Sequence, residues 1–109
     1  MPVHTIRLRA PWHCLTEGET TIWRRPFGCP TGLGHSDRVR LVVEPPDAAT
    51  RVDLNGRPLP PLAQGAGFLV TDALLARNEV VLYMKSTAAT ETCPAEPPCQ
   101  VRLEIETSD

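Results

Sequence analysis

Hydrophobic and polar residues alternate along several short stretches of this chain, which is the pattern of β-strands with one buried face. The clearest stretches are residues 38–44, 79–85 and 100–106, "RVRLVVE", "EVVLYMK" and "QVRLEIE". Residues 3–9, 20–27 and 68–70 also favour strands, and residues 11–18 favour a bend or short strand followed by a turn. Every second residue of the three clearest stretches is predicted to face a core: Val39, Leu41, Val43, Val80, Leu82, Met84, Val101, Leu103 and Ile105.

The stretch "RVDLNGRPLP", residues 51–60, predicts a β-hairpin with Val52 and Leu54 facing inward. Asn55-Gly56 suits a two-residue type I′ turn, because both central positions of that turn need a positive φ. Pro58 has no N–H to donate to a strand ladder, so the returning arm is predicted to be short or at a sheet edge.

Only residues 71–78, "TDALLARN", predict helix, and only a single turn of it. Thr71 or Asp72 is expected to cap this turn and Asn78 to end it. Roughly seven or eight short strands with turn signals between them predict an all-β fold. At 109 residues, we expect one domain, 1–109, built as an antiparallel β-sandwich or jelly roll.

Three stretches in sequence order resemble a known family. "IWRRPF", "DRVRLVVEPPDAATRVDLNGRPL" and "FLVTDALLARNEVVLYM" look like the sugar-binding, N-terminal jelly-roll domain of family 2 glycoside hydrolases, of β-galactosidase and β-glucuronidase type. The resemblance covers residues 22 to 85 and, more loosely, the opening and closing strands. It implies a galactose-binding-domain-like sandwich. The family's catalytic carboxylates lie in a separate barrel domain, so the resemblance implies a non-catalytic module.

The function implied by this resemblance is carbohydrate binding, or an accessory role in glycan processing, with a glycan or a glycan-processing protein as partner. Sugars pack their C–H faces on aromatic rings and pair their hydroxyls with planar polar groups. Structural roles also explain some residues of these types: either Trp23 or Ile22 is expected to face the core, and the turn alone accounts for Asn55. The predicted ligand-binding residues are Trp12, Trp23, Arg24, Arg25 and Asn55.

The loop after the hairpin favours an alternative function. Members of the resembled family have a longer loop there, with a His and a Gly pair that approach the substrate pocket. Here residues 60–67 read "PPLAQGAG", with neither a His nor an acidic residue. The alternative is a structural or protein–protein interaction module that keeps the sandwich and has lost the sugar pocket.

No catalytic residue is predicted, and we expect no enzyme. His13 and Cys14 are adjacent, as are His35 and Ser36, and adjacent residues on a strand point to opposite faces. A glycosidase needs two carboxylates at a defined separation. No such pair is marked out among the acidic residues of turns and strand ends, such as Glu44, Asp47 and Asp72.

The cysteines and acidic residues predict neither a metal nor any other cofactor. Cys14, Cys29, Cys93 and Cys99 lack the close spacing of zinc ligands, and His4, His13 and His35 do not complete a site.

Asp37 and Asp72 lie in no dense cluster of oxygen ligands for Ca²⁺. Cys93 and Cys99 would close a small loop if oxidised, but the lack of a secretion signal favours reduced thiols.

Charge and apolar content bear on whether the protein binds nucleic acid, crosses a membrane or is secreted. The net charge is -2, and the 11 basic residues are scattered, which does not favour nucleic acid. The chain has no run of 18 or more apolar residues, so we expect no transmembrane helix. The N-terminus has no apolar signal segment, so we expect a full-length chain to be cytoplasmic. A signal removed from a longer precursor is left open, as is the oligomeric state.

Overall fold

A computed structural model describes residues 3–9, 11–34, 36–44, 49–60, 67–85, 97 and 99–107. A single turn of 3₁₀ helix, Thr71–Ala73, precedes the eighth strand. Among the residues described, no helix has the length and apolar character needed to cross a membrane. The described strands are β1 (Val3–Arg7), β2 (His13–Glu17), β3 (Thr20–Gly28), β4 (Arg38–Glu44), β5 (Arg51–Leu54), β6 (Arg57–Pro58), β7 (Phe68–Leu69), β8 (Arg77–Lys85) and β9 (Gln100–Glu106).

These strands form two antiparallel sheets. One has four strands in the order β1-β9-β4-β7, and the other has five in the order β2-β3-β8-β5-β6. Leaving β2 aside, eight strands make two sheets of four, which is the double-sheet arrangement of a jelly roll. The predicted all-β antiparallel sandwich is therefore confirmed. The first and last strands, β1 and β9, are neighbours, so the two ends of the described chain meet in one sheet.

The core lies between the sheets and follows the predicted alternation. All nine residues predicted to face inward from β4, β8 and β9 are buried, as are Val52 and Leu54 of β5. Trp23 is only 2% exposed and belongs to this core. Ile22, its neighbour along β3, is buried outside the main core cluster, opposite Tyr83 of β8. The expectation that one of these two residues fills the core is therefore met by Trp23.

The predicted hairpin is present, and its turn has the expected backbone. Asn55 has φ 53 and Gly56 has φ 81, the two positive values that a type I′ turn requires. β6 has two residues and lies at the edge of its sheet, as Pro58 predicts. The Asn55 side chain also accepts from the backbone N–H of Glu79 at 2.9 Å and donates to Asn78 Oδ1 at 2.9 Å. The turn is thus joined to the start of β8.

The predicted single helical turn is present as the 3₁₀ turn Thr71–Ala73, but its predicted end at Asn78 and its predicted capping are wrong. The 3₁₀ turn ends at Ala73 and no side chain caps it, because the Thr71 hydroxyl instead accepts from the Val39 N–H at 2.9 Å. Asn78 ends no helix; it lies buried in β8. Its Oδ1 accepts from Leu75 N at 2.8 Å and its Nδ2 donates to Leu75 O at 2.9 Å. The Asn78 amide therefore satisfies backbone groups that a longer helix would have satisfied.

Replacing Asn55 separates the two contributions of the turn. Asn55→Gly keeps the positive φ and loses only the side-chain hydrogen bonds, so we expect a loss of about 1–2 kcal/mol. Asn55→Ala loses the same bonds, and Ala tolerates the left-handed conformation less well than Asn, so we expect a total of about 2–3 kcal/mol. Urea unfolding of both variants measures these losses. Equal losses for the two variants would show that the positive φ does not matter.

The cysteines do not all remain reduced, which corrects the expectation from the sequence. Cys14 is disulfide-bonded, whereas Cys29 and Cys99 are free. Closure of a small loop by Cys93 and Cys99 is therefore excluded, because the Cys99 thiol is unpaired. The other half of the Cys14 disulfide lies outside the described residues. Sequence spacing does not identify this bond, because four cysteines allow three connectivities and the tertiary fold decides among them.

Candidate ligand-binding cleft

A cavity of about 240 Å³ opens where β1 ends and β9 begins. It continues into an open groove bordered by Thr5 and Glu44. We call the cavity and this groove together the cleft. The two parts share Arg7, Arg9, Gln100 and Arg102, and the cavity is completed by Leu8, Trp12, Pro97, Cys99 and Val101.

The cleft lies where charged and buried apolar residues follow one another at the end of β1 and the start of β9. Arg7 of β1 lies directly opposite Arg102 of β9. The next residues inward, Leu8 and Val101, are buried, and the Leu8 N–H donates to Val101 O at 2.9 Å. This bond carries the β1–β9 pairing one residue beyond β1. At the end of β1 and the start of β9, each charged residue is therefore followed along the chain by a buried apolar one.

Trp12 is the one predicted ligand-binding residue that lines the cleft. It is 8% exposed, and its indole Nε1 donates to Leu8 O at 3.0 Å. Little of the ring is accessible, so Trp12 serves as part of a wall. Arg25 lies close by: its Nε donates to Arg9 O at 2.7 Å and its Nη1 donates to Pro26 O. Arg25 therefore holds the backbone of a cleft residue without lining the cleft.

The other three predicted residues lie elsewhere. Trp23 is in the core, and Asn55 is in the β5–β6 turn. Arg24 lies on the outer face of the five-stranded sheet and forms an exposed ion pair with Glu79, with 3.3 Å between Nη1 and Oε1. The structure does not bring the five residues together, because β3 alternation separates Trp23 from Arg24 and the turn lies in the other sheet from the cleft.

Charge in the cleft is unevenly paired. Arg102 is held by two carboxylates: its Nη1 lies 2.9 Å from Glu44 Oε2, and its Nε lies 3.0 Å from Glu104 Oε2. The hydrogen bond and charge of Arg102 lower the pKa of Glu44, and those of Glu44 and Glu104 raise the pKa of Arg102. Within the described part of the chain, the guanidinium groups of Arg7 and Arg9 have no carboxylate partner.

Sequence reasoning missed Arg7, Arg9, Gln100 and Arg102. Each is a polar residue next to apolar positions of a predicted strand, which is also the pattern of solvated surface residues. The signal that distinguishes them is the pairing of β1 with β9, because it sets Arg7 opposite Arg102. Local periodicity does not contain that long-range pairing.

Neither Cys14 nor Cys99 provides a reactive thiolate. His13 is exposed on β2, and Cys14 beside it is disulfide-bonded. Burial raises the pKa of Cys99 in the cleft to about 11. Its thiol is therefore protonated, and a poor nucleophile, at neutral pH. His35 and Asp47 lie outside the described residues.

Of the two acidic residues considered as Ca²⁺ ligands, Asp37 is engaged in a turn and Asp72 is exposed. Asp37 Oδ2 accepts from Gly34 N at 2.8 Å, which closes a turn of the β3–β4 loop. Asp72 is exposed in the 3₁₀ turn. Over the described ranges, no three His, Cys, Asp or Glu residues are grouped as metal ligands.

A second polar cluster, formed by Arg51, Asp53 and Tyr83, lies on the outer face of the five-stranded sheet. Arg51 binds Asp53 through two hydrogen bonds of 2.7 and 3.1 Å and lies 5.2 Å from the centre of the Tyr83 ring. The Tyr83 hydroxyl lies 3.4 Å from Asp53 Oδ2. Asp53 is 5% exposed, and its carboxylate is already paired. The cluster therefore stabilises this face and offers little for a ligand.

Comparisons of the chain with protein families, with curated proteins and with solved structures each find no match. The resemblance to the sugar-binding domain of family 2 glycoside hydrolases therefore stays a prediction from the sequence.

Proposed function

We propose that this protein is a non-catalytic binding module that takes a carbohydrate, or a saccharide end of a larger glycan, in the cleft. The observation that carries this proposal is the meeting of Gln100, Arg7 and Arg9 in one cavity that Leu8 and Val101 also line. Amide and guanidinium groups pair with hydroxyls, and apolar side chains pack against sugar C–H faces. The volume of about 240 Å³ lies below that of drug-sized pockets and suits a small ligand.

Two further features support a glycan as the ligand. The resemblance of residues 22 to 85 to a sugar-binding domain implies the same ligand class on a scaffold of the same type. The disulfide at Cys14 is typical of proteins in oxidising compartments, where many glycans are displayed. In this proposal the protein contributes binding alone, either by itself or as the accessory of a glycan-processing protein.

Substitutions in the cleft test the proposal against the site predicted from the sequence. A panel of neutral and acidic saccharides is titrated into the protein by NMR or calorimetry. Gln100→Ala is expected to weaken binding about tenfold, since it removes hydrogen bonds to the ligand. Arg24→Ala is the control on the opposite sheet and should leave the affinity unchanged. If only Arg24→Ala loses binding, the site lies on the five-stranded sheet and not in the cleft. If no saccharide binds the wild-type protein, the proposal is wrong.

A structural or protein–protein interaction module is the second candidate. Val3 of β1 is 55% exposed and Leu15 of β2 is 50% exposed, and each of these strands is one edge of its sheet. Leu15 also lies in register with Ile22, which is paired with Tyr83, so one row of apolar side chains crosses the outer face. Sedimentation velocity distinguishes the candidates. A dimer that Leu15→Lys dissociates favours the second, and a monomer counts against it.

A further inference from the structure

We infer that the ligand of the cleft carries an anionic group, a carboxylate or sulfate, that is bound by Arg7 and Arg9. This inference rests on the proposed function, because it names the class of saccharide that the same cleft takes. Nothing in the sequence alone marked these two arginines as ligand-binding residues.

The first argument is the unequal neutralisation of the three guanidinium groups. Arg7 and Arg102 are direct cross-strand partners. Like charges placed directly opposite each other destabilise a strand pair. Arg102 is neutralised by Glu44 and Glu104, at 2.9 and 3.0 Å. Arg7 has no such partner in the described part of the chain, so its positive charge is the one left for a bound anion.

The second argument is the fixed position of the Arg9 backbone. Arg25 Nε donates to Arg9 O at 2.7 Å, and Trp12 Nε1 donates to Leu8 O at 3.0 Å. Leu8 is itself bonded to Val101 O in the sheet. The segment that bears Arg9 is therefore held from three directions. A guanidinium on a fixed backbone loses less freedom when a ligand binds, which favours affinity.

The third argument is that the positive charge is local. The whole chain has a net charge of -2, so a cationic cleft is not a consequence of a basic protein. The planar fork of a guanidinium matches the paired oxygens of a carboxylate or sulfate, and such charge-assisted bonds are about twice as strong as neutral ones. Gln100 remains available in the same cleft for hydroxyl groups.

Matched ligands test the inference. Galacturonate, its neutral methyl ester and galactose 6-sulfate are titrated into the wild-type protein at low and at high salt. We expect galacturonate or the sulfate to bind at least about tenfold tighter than the ester, with a preference that shrinks at high salt. Preference for galacturonate alone assigns a carboxylate, and preference for the sulfate assigns a sulfate. Equal affinity for all three ligands overturns the inference.

Variants locate the anion. Arg7→Ala combined with Arg9→Ala should remove the preference for acidic ligands while weak binding of the ester persists. Arg57→Ala removes an exposed arginine from β6 of the other sheet and should leave the preference intact. Chemical-shift spectra of each variant check that the fold is kept. A preference that survives the double variant overturns the inference.

The outcomes also separate this inference from the proposed function. If all three saccharides bind equally, carbohydrate binding stands and the anionic ligand falls. If none binds, the proposed function falls, and inorganic sulfate alone then tests the arginine pair. Sulfate that shifts the Nε–H signals of Arg7 and Arg9 supports an anion site. Sulfate without effect overturns the inference.

Discussion

Trp23→Ala is expected to destabilise the protein by about 3–5 kcal/mol, because it removes a large side chain from the middle of the core. Trp23 is 2% exposed and lies between Cys14 of β2 and Leu82 of β8 across the sheet. Leu82 is itself 0% exposed, so the surroundings have little room to close over a cavity. Domains of this size are stable by about 5–15 kcal/mol. The variant is therefore expected to lose a large share of its folding free energy.

Urea unfolding followed by circular dichroism measures this loss. Trp23→Phe is the matched control, since it keeps an aromatic ring in the core, and its loss should be clearly smaller. A loss below about 1 kcal/mol in Trp23→Ala would show that the residue is not a core residue. Stabilisation of wild-type protein by a saccharide that is lost in Trp23→Phe would return Trp23 to the ligand site.

Gly67→Ala is expected to cost about 2–5 kcal/mol, for two additive reasons. Gly67 has φ +69, where a residue with a Cβ is strained. A Cβ there would also lie 2.9 Å from the carbonyl oxygen of Leu41 and 3.0 Å from Val42 Cγ2. Both atoms belong to β4, and a central strand cannot easily shift away from a clash with its backbone.

Gly56→Ala is the matched control for this clash. Gly56 also has a positive φ, +81, but a Cβ there would meet nothing within 4 Å. Its alanine variant should therefore lose only about 1–2 kcal/mol, the cost of the backbone conformation. Thermal or urea unfolding of both variants compares the losses. If Gly67→Ala costs no more than Gly56→Ala, the close approach to β4 has no energetic consequence.

The sequence predicted the fold well where the information is local. Alternation in β4, β8 and β9 placed the correct residues in the core, and Asn55-Gly56 predicted a turn with two positive φ values. The sheet order was beyond local reasoning, because β1 pairs with β9 from the other end of the chain. The single helical turn was predicted correctly, but it ends at Ala73 and not at Asn78, since the buried amide of Asn78 takes over the backbone hydrogen bonds near Leu75.

The candidate site was predicted far less well, and the reason is again pairing. Aromatic and arginine residues were selected by type, and of those only Trp12 lines the cleft. Trp23 was selected for its ring, yet the same apolar character places it in the core. Arg7 and Arg9 resemble ordinary surface charge in sequence. They become candidates only because the fold sets them beside Arg102, whose charge two carboxylates already neutralise.

The most direct test of the central claim, that the cleft is the ligand site, is an NMR titration of the labelled protein with galacturonate. We predict shifts for the Trp12 indole N–H, the Gln100 side-chain amide and the Nε–H groups of Arg7 and Arg9. The Nε–H of Arg24 and the side-chain amide of Asn55 should stay unchanged. Shifts at Arg24 and Asn55 with none in the cleft, or no shifts at all, would contradict it.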